Sequence, residues 1–206
     1  MPRKPAAPED LSAKKALALE VIARLKKEYP DAACTLDYDH AWQLLVSVRL
    51  AAQCTDARVN IVVEDLFAKY PSVAALAAAE PEEIEAIVKP CGLGHSKARD
   101  ISACMRMLRD KYDCKVPTTF EELLSLPGVG RKSANLIMGD VFGKPAIVTD
   151  THCIRLCNKI GLVDGIKEPQ KVEMALWKII PPEEGSDLCH RFVMHGRAVC
   201  NARKPE

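Results

Sequence analysis

The chain has 206 residues, enough to bury a proper core as one domain or as two small ones, and its 48 % hydrophobic content holds no uninterrupted run long enough for a membrane span. Nine cysteines, odd in number and scattered, argue against a secreted disulfide scaffold and for reduced thiols in a cytoplasmic protein. The net charge of +1 does not by itself point to nucleic acid, and the basic, proline-rich Met1–Pro8 lacks the apolar segment of an export signal and reads as a short disordered arm.

Apolar residues recur at spacings of three and four, and alternating β-branched runs are scarce, so the fold is expected to be all-α. Ser12 precedes a helix carrying Leu17, Val21, Ile22 and Leu25 that ends before Pro30. A second helix is predicted over about His40–Ala52 and a third from Thr55 or Asp56 to Lys69. Ser72 and Pro81 each open a short helix, followed by the loop Cys91-Gly92-Leu93-Gly94. Ser96 starts a long helix reaching about Tyr112. Thr118 with Glu121, or Thr119 with Glu122, makes a capping-box pattern ahead of Leu123, Leu124 and Leu126. A helix over about Lys132–Phe142 is closed by Gly143 and Pro145, and three more follow near 150–160, 168–180 and 186–198.

Between the capping-box helix and the helix at Lys132 lies Leu126-Pro127-Gly128-Val129-Gly130-Arg131-Lys132-Ser133-Ala134. Glycines at 128 and 130 permit a tight turn and a close backbone approach. The amides that open the next helix are then left unpaired and suit a phosphate, with Lys132 placed to touch what the phosphate carries. The plainer alternative is a helix–turn–helix connection with a solvated lysine. Charge distribution points the same way as the hairpin. Residues 89–159 hold twelve Lys and Arg against seven Asp and Glu, whereas 1–88 hold ten against fourteen, a one-sided pattern suited to a polyanion.

With Val148-Thr149-Asp150-Thr151-His152 some twenty residues beyond the hairpin, the chain resembles the helix-hairpin-helix DNA glycosylases, and within them the endonuclease III family of glycosylase/abasic-site lyases. The likeness runs from about Leu17 to Pro205. It is carried also by Ala52-Gln53-Cys54-Thr55-Asp56, Gly92-Leu93, Ser96-Lys97-Ala98 and His195-Gly196-Arg197. The resemblance implies two all-α domains flanking a DNA cleft. One is a continuous six-helix domain, about 34–144, that includes the hairpin; the other joins 1–33 to 145–206. It places Lys132 and Asp150 at the mouth of the cleft from opposite sides.

The same resemblance implies the chemistry. Lys132 is the nucleophile: its amine attacks C1′ of the damaged nucleotide, the base leaves, and a Schiff base forms with the opened sugar. Asp150 stabilises the oxocarbenium-like charge at C1′ and could accept the proton the amine must lose. Loss of the 2′ proton then breaks the strand by β-elimination. Read locally, Asp-Thr-His before Ile154 and Leu156 is also good N-cap chemistry, and both roles are compatible. A lysine at position 132 separates this chain from adenine-specific mismatch glycosylases, which lack it. Base extrusion requires that the gap be filled, and the resemblance gives that task to Gln53 on one strand and Leu93 on the other. Read from the residues, Gln53 is alternatively a buried core amide or a polar residue at a helix C-terminus, and Leu93 a plug for its loop.

Gly128, Val129, Gly130 and Arg131 are expected to hold the DNA backbone through the hairpin, and His152, Arg203 and Lys204 to contact the DNA. Read from the residues, His152 is alternatively a structural hydrogen-bonding residue near the helix that follows Asp150, and His190 and His195 are structural residues of the last helix. Damaged double-stranded DNA is therefore the expected partner, bound by a monomer. The expected substrate is an oxidised pyrimidine; alternatives are 8-oxoguanine or a mismatched base, a hairpin module that binds DNA without chemistry, and a redox-responsive sensor. Two segments depart from the family pattern. Gly94-His95 follows Leu93 where close relatives often carry a bulkier pair. Many relatives hold a [4Fe-4S] cluster on Cys-x6-Cys-x2-Cys-x5-Cys near the C-terminus. Cys200 with the following Ala202-Arg203-Lys204-Pro205 matches the first of those four, and the sequence stops before the second, so the cluster is expected of a longer product, the alternative being a version without the cluster. Cys153 and Cys157, one turn apart, lack the second ligand pair of a metal site.

Overall fold

The computed structural model describes residues 8–202, with side chains from Leu11 onward. The expected N-terminal arm through Ala7, and Arg203 and Lys204, lie outside the described residues. No strand occurs among the described residues, and no helix there is long and apolar enough to cross a membrane. The chain divides into two compact units, Cys34–Phe142 and Met1–Ala33 with Gly143–Glu206.

The continuous unit carries α2 (Ala41–Leu50), α3 (Asp56–Lys69), α4 (Val73–Ala78), α5 (Pro81–Val88), a 3-10 turn at Lys89–Cys91, α6 (Gly94–Lys111), α7 (Phe120–Ser125) and α8 (Arg131–Asp140). That is seven α-helices, two of them (α4 and α7) only six residues long, against the six that the resemblance implies. α6 is the axis: α4 and α5 pack along it, and Ala98, Ile101, Met105 and Leu108 on one face are almost wholly buried. Each large aliphatic side chain buried this way contributes about 1.5–3 kcal/mol. α2 fills the opposite side with Leu44, Leu45, Val46 and Leu50.

The discontinuous unit joins α1 (Pro8–Glu28) to α9 (Thr151–Ile160), α10 (Pro169–Leu176), a 3-10 turn at Pro182–Glu184 and α11 (Gly185–Ala198). α11 packs on α1 and α9 around Phe192, which is fully buried. Arg191 Nε on α11 donates to the Tyr29 carbonyl just past α1 (3.2 Å), and Lys26 Nζ meets Glu184 at 2.5 Å. These contacts fasten segments far apart in sequence.

Element starts differ from the sequence reading where an end is set by backbone chemistry. α1 is described from Pro8, ahead of Ser12. Of the two candidate caps, Thr119 is the N-cap of α7: its Oγ1 accepts the Glu122 amide at 3.4 Å and donates to the Glu122 carboxylate at 2.6 Å, without the reciprocal bond of a full capping box. α6 starts at Gly94, capped by Leu93 in left-handed conformation, not at Ser96. α8 starts at Arg131 and ends at Asp140, and α10 stops at Leu176.

Cys91, Cys104, Cys153, Cys157 and Cys189 are buried as small core residues, Cys34, Cys54 and Cys200 are half-buried, and Cys114 is exposed. Burial pushes the Cys34 and Cys104 thiols up to about 12. Hydrogen bonding among Cys153, Cys157 and Cys189, together with burial, holds Cys153 and Cys189 well above the usual thiol range. These are protonated, unreactive thiols at neutral pH.

Candidate nucleic-acid interface

The hairpin joins α7 to α8. Leu126, buried, caps α7, and the Val129 amide donates to the Leu126 carbonyl at 3.1 Å, closing the turn. Gly128 has φ +75°, and a Cβ there would lie 2.8 Å from Asp100 Cβ and 3.2 Å from Arg49 Cδ. The turn therefore rests directly on an ion pair: Arg49 on α2 donates to Asp100 on α6 at 2.7 Å and to Ser96 Oγ at 3.1 Å. Gly128→Ala combines left-handed strain with overpacking against a rigid Cβ, and is expected to cost about 2–4 kcal/mol. Thermal denaturation checks this; an unchanged midpoint would show that the turn does not rest on α6.

Gly130 differs from the sequence expectation. Its φ is −97°, which any residue adopts, and a Cβ there would meet nothing within 4 Å. Only Gly128 is required by the turn itself; at 130 the small residue leaves space open to something from outside the chain.

Gly130 is the N-cap of α8 and supplies no side-chain cap, so the amides of the first turn face outward with the positive end of the helix dipole behind them. Lys132, the second residue of α8, is exposed at this end. Val129 packs against the core, and the Arg131 guanidinium lies 5.0 Å over the Phe120 ring. Both anchor the hairpin to its own unit.

Gln53 and Leu93 belong to the same unit, and both are exposed with positive φ, +58° and +52°. The buried-amide reading of Gln53 is thereby overturned: α2 ends at Leu50, and Gln53 turns out of the helix line before Thr55 caps α3. Leu93, 57 % exposed, is held rather than loose. Its carbonyl accepts the Lys97 amide at 3.0 Å, and His95 in the Gly-His segment pairs with Glu85 at 3.0 Å. Few non-glycine residues take left-handed backbone, and those that do concentrate at functional sites.

In the other unit Asp150, half-buried, is the N-cap of α9: its Oδ1 accepts the Cys153 amide at 2.7 Å. That bond occupies one carboxylate oxygen and orients the group at a helix N-terminus, where negative charge is favoured. His152 packs against Gly196, where a Cβ would lie 2.3 Å from His152 Nδ1, and Arg155 Nη2 donates to that nitrogen at 3.2 Å. Arg155 also donates to the carbonyls of Gly196 (3.3 Å) and Cys200 (2.6 Å), joining the His-Gly-Arg segment to the start of α9. His195 Nδ1 lies 3.1 Å from the Tyr29 hydroxyl, a packing role.

Cys200 Sγ accepts from Lys159 Nζ at 3.7 Å. A [4Fe-4S] cluster needs four thiolates. Among the described residues no group of three or more ligating side chains converges, and the Cys153–Cys157–Cys189 thiols are buried and hydrogen-bonded to one another. The residues present do not make a cluster site.

The sequence reading assigned no role to Lys97 or to the Arg49–Asp100–Ser96 network. Lys97 was open to detection, because it falls on the apolar stripe of α6 with Ile101, Met105 and Leu108.

Comparison with known proteins agrees with this geometry. Residues 46–182 match the HhH-GPD superfamily of base excision DNA repair proteins. The chain is 44 % identical over 196 residues to the endonuclease III of Synechocystis sp., covering 95 % of this chain and 89 % of that protein. Its fold is similar to that in a non-covalent endonuclease III–DNA complex, with TM-score 0.89 and 41 % identity over 93 % of this chain and 90 % of the other. A trapped endonuclease III–DNA covalent intermediate in an estranged-adenine complex matches with the same TM-score, identity and coverage. The chain belongs to the endonuclease III family of the HhH-GPD superfamily, the bifunctional glycosylase/lyases of base excision DNA repair.

Proposed function

We propose that the chain excises oxidised pyrimidines from damaged double-stranded DNA, as a monomer in the cytoplasm, and cuts the abasic strand through a Schiff base on Lys132. The observation that carries this reading is the open, uncapped start of α8 with exposed Lys132 in its first turn. Phosphates flanking the lesion would bind the amides of that turn and the hairpin backbone from Gly128 to Gly130, a contact that positions the strand without reading its sequence. Val129 and Arg131, fastened to the core and to Phe120, keep the hairpin from yielding. Gln53 and Leu93 would enter the space left by the extruded nucleotide, Gln53 in place of the base and Leu93 against the opposite strand. His152, with Arg203 and Lys204 beyond the described residues, would add contacts to the DNA.

Attack of the Lys132 amine on C1′ forms a C–N bond while the bond from C1′ to the base breaks, the base leaving with the electron pair. Asp150 would stabilise the positive charge that builds on the sugar and take up the proton released by the amine. Ring opening gives an iminium that acidifies the 2′ carbon; loss of that proton expels the 3′ phosphate. Endonuclease III proteins generally carry a [4Fe-4S] cluster. Of such a ligand set this chain offers Cys200, and none of these steps passes through it.

The test is borohydride reduction during turnover on a duplex containing thymine glycol. The expected result is a covalent protein–DNA adduct together with release of the base. Tight binding with neither adduct nor base release would overturn the oxidised-pyrimidine lyase reading.

A further inference from the structure

Lys97 is 0 % exposed, one of the largest fully buried side chains among the described residues. An ammonium in an apolar interior is costly unless its hydrogens are taken up. Nζ donates to two main-chain carbonyls, Leu50 and Cys91, each at 2.8 Å. Leu50 closes α2, so its carbonyl is one of those a helix end leaves without a helical donor. Cys91 closes the 3-10 turn ahead of the Gly92-Leu93 loop. Gln53 stands three residues after the first acceptor and Leu93 two residues after the second, both exposed and both left-handed. One turn further along α6, Asp100 holds Arg49 against the hairpin glycine. Burial favours the neutral amine and lowers the Lys97 pKa, yet the two carbonyls at hydrogen-bond distance both suit a donor.

We propose that Lys97 is a positioning residue for base extrusion: by clamping the end of α2 to the loop before Leu93, it fixes the spacing at which Gln53 and Leu93 enter the duplex. This rests on the reading of those two residues as the ones that fill the gap. A preset spacing removes the ordering cost that two independent loops would otherwise meet at the moment of binding. Lys97 touches neither DNA nor the reacting atoms in this account.

Two substrates separate positioning from folding: a duplex with thymine glycol, which must be opened, and an abasic site in single-stranded DNA, which offers no partner strand and no gap. Lys97→Met keeps an unbranched apolar stem, one atom shorter, and removes the donors. It is expected to slow single-turnover cleavage of the duplex about tenfold or more while changing Schiff-base trapping on the single strand by no more than about twofold. Gln53→Ala and Leu93→Ala, at exposed positions, are expected to shift the same ratio in the same direction. If those two leave the ratio unchanged, the gap-filling reading fails. If they shift it and folded Lys97→Met does not, the clamp is overturned while that reading stands. Should Lys97→Met not fold, the native protein decides through its lysine ammonium NMR signals. A slowly exchanging buried ammonium that persists on binding a duplex with an abasic-site analogue supports the clamp, and its loss on binding overturns it.

Discussion

Lys132→Gln is expected to abolish the borohydride-trapped adduct and to reduce base release on the order of 10³-fold or more, because an amide cannot form the Schiff base through which the covalent step runs. Lys132 is exposed in the first turn of α8, so removing it opens no cavity and strands no buried charge. The change in folding stability should stay within about 0.5 kcal/mol. Binding to a thymine glycol duplex should weaken modestly, since the helix amides and the hairpin backbone remain. Affinity and adduct yield measured on one preparation give the decisive comparison. A variant that binds and still forms the full adduct would place the nucleophile elsewhere; a variant that loses both would make Lys132 a binding residue.

The second large effect concerns Asp150, whose two roles can be separated by the choice of substitute. Its Oδ1 accepts the Cys153 amide at 2.7 Å and so caps α9. Asparagine caps a helix about as well as aspartate but carries no charge. Asp150→Asn should therefore keep the melting temperature close to that of the parent while lowering base release about 10²-fold or more, the scale of a lost electrostatic partner. Asp150→Ala loses the cap as well, at about 1 kcal/mol, which in a chain of this size lowers the melting temperature by about 2–4 °C. Single-turnover glycosylase rates and thermal melts on both variants check the prediction. Full activity in Asp150→Asn would reduce Asp150 to a cap alone.

What can be read in the sequence is what local chemistry decides. The all-α class follows from spacings of three and four, and the end of α7 from Thr119 and Glu122 acting within one turn. The hairpin, the cap at Asp150 and the alternation of glycine and leucine at 92–94 are short enough that neighbours in sequence are neighbours in space. Gly128 and Gly130 look alike on that basis, and they are not. Gly128 is demanded by Arg49 and Asp100, which arrive from helices that begin far upstream, whereas a Cβ at Gly130 would meet nothing within 4 Å among the described residues. Gln53 could not be sorted between core and surface from the apolar run before it, because α2 stops at Leu50 and the backbone turns left-handed.

Tertiary structure also decided which cations look outward. Arg131 and Lys132 are adjacent and equally basic, yet the first settles over Phe120 and the second is exposed. Lys97 would be taken for a solvated residue by its type. Its burial follows from two carbonyl oxygens supplied by positions 47 and 6 residues away, and backbone acceptors have no signature in side-chain sequence. By itself, then, the sequence determined the helices, the motif and its family, because these depend on residue type and spacing. The folded chain decided which of those residues are exposed and which are consumed in holding the others in place. That depends on packing between elements distant in sequence, where a difference of one side-chain contact turns the same residue from surface to core.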